Sequence, residues 1–128
     1  MIKNISSKDH FAKYLGVEVL EVKENYAKVA LKIQKYFLNS IETTHGGVLF
    51  SLADYAFALA ANTSDEIGVG INANIQYTKP SFEGEIIFAE AKLLSRSKRV
   101  GTFIVTIVNS KQEVLAHFSA MAYFKTPK

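Results

Sequence analysis

Asp54 offers the most chemistry in the chain. It is the one charged residue between Val48 and Ala61, and its neighbours are Leu52, Ala53, Ala56 and Phe57. A carboxylate among apolar side chains loses hydration, which raises its pKa and destabilises the ionised form. Proteins keep such a group where a general base or a nucleophile is needed at a cleft. Two alternatives use the same residues: a buried ion pair, or a solvated stripe of the helix shared with Ser51 and Tyr55.

Upstream stands His45-Gly46-Gly47. Two glycines opening a helix present free backbone N–H groups with the positive end of the helix dipole behind them. The missing side chains let a ligand oxygen come close. Such a site can polarise a carbonyl and hold a developing oxyanion; a plain loop-to-helix hinge would also use two glycines. His45 is equally readable as a catalytic or a loop histidine. Asn39 can orient a water or a carbonyl through its amide, although a turn residue bonding its own backbone is the simpler expectation. Arg96-Ser97-Lys98-Arg99 lies between two apolar runs. Arg96, Lys98 and Arg99 can receive phosphates by charge-assisted hydrogen bonds, or form an ordinary solvated turn.

These residues need a scaffold. The 128 residues, 48% of them hydrophobic and 21% charged, fit a single domain spanning 1–128. The absence of cysteine removes disulfides, thiolate metal sites and a cysteine nucleophile. The three histidines, His10, His45 and His117, are too scattered for a metal site, and no metal or cofactor is expected. Glycine-rich phosphate motifs are missing. A net charge of +3, spread thinly, argues against nucleic acid as a partner. The longest apolar run is too short for a bilayer, which takes about 20 residues. No signal peptide is visible at the N-terminus. The expectation is a cytoplasmic protein that does not enter the membrane.

Ser7 can cap a short helix that holds Phe11, Tyr14 and Leu15 and stops at Gly16. Val17 to Val22 and Ala27 to Ile33 alternate as strands around a turn at Asn25. Lys35 to Thr44 is irregular. Val48 to Ala61 is apolar on nearly every face and reads as a helix buried all round. Four strands follow: Ile67 to Tyr77, Glu85 to Leu94, Val100 to Val108 and Val114 to Phe124, with Asn109 to Gln112 turning the last pair. A lone buried helix needs an antiparallel sheet curled around it, an α+β arrangement. So large a sheet leaves an edge or a face to cover, which points to association.

The combination of Leu38-Asn39, His45-Gly46-Gly47 and Leu49-Phe50-Ser51-Leu52-Ala53-Asp54 resembles the signature of hotdog thioesterases of the phenylacetate-degradation type. Ala56-Phe57-Ala58 and the stretch Asn74 to Pro80 are similar to that group too, and the element order matches from about Phe11 to Tyr123. The resemblance implies a hotdog fold, with an antiparallel sheet wrapped around the central helix. It implies hydrolysis of a small acyl- or aryl-CoA thioester to a free acid and CoA. Carried over by position, the Gly46 N–H polarises the thioester carbonyl, Asp54 activates water or attacks directly, and Asn39 and His45 flank the reacting group. Gly47 and the basic turn face CoA, which lies along a dimer interface; a dimer or dimer of dimers is implied. The chain departs from some relatives at Gly70, where they carry a serine that helps hold the water; Asn72 and Asn74 lie nearby. Two other functions compete. A non-catalytic acyl-CoA-binding protein would not need Asp54, and a hotdog dehydratase would carry a longer proline-containing histidine motif that is missing here. Gly46 and Asp54 are eight residues apart, about 12 Å along a helix. They can act on one carbonyl only if they come from different chains.

Overall fold

The computed structural model describes residues 8–126. Helix α1 (His10–Leu15) is followed by strands β1 (Glu18–Lys23) and β2 (Tyr26–Lys32), a 3-10 turn at Lys35–Phe37, helix α2 (Gly46–Ala61), and strands β3 (Ile67–Tyr77), β4 (Ile86–Arg96), β5 (Val100–Asn109) and β6 (Val114–Lys125). The strands form one antiparallel sheet in the order β1-β2-β4-β5-β6-β3. This sheet curls around α2, which packs against all six strands. The wrapped-helix α+β architecture expected from the sequence is therefore the observed hotdog fold.

Local chemistry sets the boundaries. Asp9 caps α1: its carboxylate accepts from the Ala12 N–H at 3.0 Å. Ser7 lies outside the described residues. Gly16 ends the helix at φ +86°, a left-handed conformation that suits glycine. Asn25 turns the first hairpin at φ +57°. Asn109 closes the last, its side-chain oxygen accepting from the N–H groups of Lys111 and Glu113.

The core lies between α2 and the concave face of the sheet. Leu52, Ala53, Ala56, Leu59 and Ala60 of α2 meet Val29 and Leu31 of β2, Ala89 and Ala91 of β4, Phe103 and Val105 of β5, and Phe118 and Ala120 of β6. Burying one Leu or Phe side chain stabilises the fold by about 1.5–3 kcal/mol, so this contact holds α2 in place. Small residues let the helix settle close to the strands. A Cβ at Gly68 would lie 2.6 Å from the Ala61 carbonyl oxygen, so β3 crosses the end of α2 where no side chain fits.

One expectation needs correction. Helix α2 is not buried all round. Gly47, Ser51, Asp54 and Ala58 recur every three or four residues and leave an open stripe along the helix. The sequence conceals it because glycine, alanine and Phe50 are as compatible with a covered face as with an open one. Asp54 sits in the middle of that stripe.

Candidate functional site

The start of α2 has one backbone donor to spare. Val48 and Leu49 N–H groups both donate to the His45 carbonyl. The Gly47 N–H donates to His45 Nδ1 at 2.9 Å. Among the described residues no acceptor faces the Gly46 N–H, which lies at the positive end of the helix dipole. Accepting at Nδ1 puts the proton of a neutral His45 ring on Nε2. His45 thus caps the helix, and its placement selects Gly46 rather than Gly47 as the exposed donor.

Gly46 faces a cleft of about 490 Å³ lined by Asn39, Thr43, Leu49, Tyr77 and Lys79 among others. Tyr77 was not singled out in the sequence, although it lies in the Asn74–Pro80 stretch. Its hydroxyl donates to the Gly46 carbonyl at 2.9 Å, and a Cβ at residue 46 would lie 2.9 Å from the ring carbon and the oxygen of that phenol. Any side chain at residue 46 would have to displace this ring, the end of a half-exposed side chain. Asn39 behaves largely as a turn residue. Its side-chain oxygen accepts from the N–H groups of Ile41 and Thr43, and its amide donates to Thr43 Oγ1 at 2.9 Å. It borders the Gly46 cleft all the same, with one amide hydrogen left for a ligand.

Asp54 belongs to a second cleft. It shares about 240 Å³ with Asp9, Phe11, Leu15, Phe50 and Tyr55, between α1 and the open stripe of α2. The carboxyl reaches solvent, yet its surroundings push its pKa above the usual carboxylate value, first by desolvation and second by the Asp9 charge. Tyr55 is raised for the same two reasons, in the same order. Ser51, one turn before Asp54, donates its hydroxyl proton to the Gly47 carbonyl at 2.7 Å. In one chain, then, the donor and the carboxylate open into different clefts.

With this arrangement in view, the relatives decide the family. The model of the thioesterase superfamily matches residues 42–116, from just before the glycine pair into β6. The chain belongs to the thioesterase superfamily. A putative esterase of Archaeoglobus fulgidus is 37% identical over 90% of this chain and 75% of its own length. The acyl-coenzyme A thioesterase PaaI of Escherichia coli is 34% identical over 90% of this chain and 82% of its own. The structure of the E. coli PaaI protein superposes with a TM-score of 0.93 at 31% identity, covering 97% of this chain and 90% of that one.

Within this thioesterase-superfamily chain the basic turn is divided in its use. Arg96 Nη2 donates to Glu66 Oε1 at 2.5 Å, and its guanidinium stacks 3.7 Å from the Phe124 ring centre. That side chain is tied to the sheet. Lys98 and Arg99 stay exposed at the tip between β4 and β5. At Gly70, a Cβ would stand 3.1 Å from the Phe57 ring, which would have to give by a few tenths of an ångström. Asn74 lines a separate cavity of about 360 Å³ with Gln76, Ile104, His117 and Ser119. Among the described residues no three His, Cys, Asp or Glu side chains gather to hold a metal, and no helix is long and apolar enough to cross a membrane.

Proposed function

We propose that the chain is an acyl-CoA thioesterase whose active sites form between two copies, the Gly46 N–H of one protomer facing Asp54 of its partner. One observation carries the reading: the spare N–H and the carboxylate of raised pKa open into separate clefts of a single chain. Both stand on α2, about 12 Å apart along its axis, while a reacting carbon must lie within about 3–3.5 Å of its attacker. An antiparallel partner helix brings the two together. The acyl-CoA thioesterase name of the E. coli relative supports the substrate class.

The sheet offers the edge for such a pair. Strand β1 is six residues long and carries Glu18, Glu21 and Lys23, which discourage pairing. Strand β3, at the other edge, runs eleven residues without a charge, and exposes Val69 and Ile71. A long uncharged edge pairs readily with another strand, and a twofold axis through β3 gives two identical sites.

The chemistry follows from the groups. The Gly46 N–H and the α2 dipole draw electron density toward the thioester oxygen. Ionised Asp54 takes a proton from water as that water attacks the carbonyl carbon, or attacks the carbon itself to give an anhydride that water then opens. The oxyanion collapses, the C–S bond breaks and CoA leaves as its thiolate. Asn39 and Tyr77 border the reacting group, and Lys98 and Arg99 serve the remote phosphates. The test is thiol release from a panel of acyl-CoAs. The wild-type chain should liberate thiol, and the nearly isosteric Asp54→Asn variant should be at least about 10²-fold slower with its fold intact. Activity of that variant within a few-fold of wild type would refute the assignment.

A further inference from the structure

We propose that Asp9 sets acyl specificity: its carboxylate makes the Asp54 cleft accept uncharged acyl groups and reject those that end in a carboxylate. The proposal rests on the thioesterase reading above, since it concerns the part of the substrate that continues past the carbon Asp54 acts on.

The cleft beside Asp54 is walled by Phe11, Leu15, Val17 and Phe50, and among the described residues none that lines it is basic. An apolar acyl chain is stabilised there by roughly 25 cal/mol for each Å² removed from water. Asp9 enters the same cleft from the opposite wall. It is held there by its bond to the Ala12 N–H at 3.0 Å, so the charge cannot swing away without uncapping α1. A substrate with a terminal carboxylate would bring a third negative charge between Asp9 and Asp54, with no cation among the described residues that line the cleft to compensate. Like charges a few ångströms apart in a partly desolvated cleft repel strongly. The titratable groups that face one another across the cleft are Asp9 from α1 and Asp54 and Tyr55 from α2. After desolvation, the Asp9 charge is the further cause that raises both α2 groups. Its field therefore spans the volume an acyl group would occupy.

The experiment compares hexanoyl-CoA with adipoyl-CoA, six-carbon acyl groups that differ by a terminal carboxylate, in the wild-type chain and in Asp9→Asn and Asp9→Ser. Asn and Ser are both good helix caps, so α1 should persist. The readout is the ratio of kcat/KM values for the two substrates, which a general loss of folded enzyme leaves unmoved. The wild type should favour hexanoyl-CoA, and both variants should narrow that preference at least about tenfold, most of it at low ionic strength. A wild type that hydrolyses hexanoyl-CoA, with variants that keep the same ratio, overturns the role of Asp9 alone. A wild type that hydrolyses adipoyl-CoA as well as hexanoyl-CoA does so too. A wild type that releases thiol from neither overturns the thioesterase reading and this one with it.

Discussion

Two inactive variants should restore each other when their subunits are mixed. One parent is Asp54→Asn, which keeps the oxyanion donor and loses the carboxylate. The other is Gly46→Pro, which deletes the N–H; its Cβ would also stand 2.9 Å from the Tyr77 ring and hydroxyl, so the phenol is pushed aside. The first helical position itself tolerates proline, and α2 should form. Each parent should fall to about 1% of wild type or less, since a general base and an oxyanion donor are each worth about 10²-fold or more. Random exchange of equal amounts gives half of all dimers as hybrids, and each hybrid holds one intact site: Gly46 from the first parent and Asp54 from the second. One site in two, in half of the dimers, is about a quarter of wild-type activity. That is some twenty-five times the parental background. Thiol release is followed during exchange while native mass spectrometry counts the hybrids. If Gly46 and Asp54 of the same chain served one site, every chain would carry a lesion and no activity would return. Hybrids seen by mass without recovered activity would refute the shared site.

The pH dependence follows from the raised pKa of Asp54. Because hydrolysis needs the ionised carboxyl, the acidic limb of kcat/KM should lie above the ordinary aspartate range and fall away as pH drops through it; a limb within the ordinary range would contradict the desolvated site. The same shift has a stability sign. Below the ordinary aspartate range Asp54 is protonated in both folded and unfolded chains, and as pH rises the unfolded chain ionises first, which lowers stability. Asp54→Asn should therefore resist urea better than wild type near neutral pH and show no such gain in acid. The basic turn should divide in two: Arg96→Ala loses the Glu66 pair and the Phe124 stack and should cost about 1–2 kcal/mol in urea titration, whereas neutralising Lys98 and Arg99 should raise KM for acyl-CoA at low salt without touching stability. A KM effect confined to Arg96 would reverse that assignment.

Much of the fold was written locally. Alternation in Ala27 to Ile33 and Val100 to Val108 gave strands because one face of each run is covered by α2 and the other is not. Gly16, Asn25 and Asn109 marked the turns because their backbone or side-chain chemistry suits them wherever the chain goes. The glycine pair opening a helix announced a donor at its N-terminus, and Asp54 stood out because a charge in an apolar run is costly. Only tertiary structure decided the rest. Which glycine N–H stays free depends on how the His45 ring folds back. What a side chain at residue 46 would meet depends on Tyr77, thirty-one residues away. That Arg96, a candidate phosphate ligand, also pairs with Glu66 and stacks on Phe124 follows from their meeting across the sheet. Asp9 carries no signal in the sequence analysis; the packing of α1 on α2 sets it in one cleft with Asp54. The open stripe on α2 and the uncharged edge at β3 are likewise properties of the assembled sheet. Sequence fixes which groups a residue carries and how its own backbone bends. Which groups face one another is set by the packing of distant segments, which no local pattern encodes.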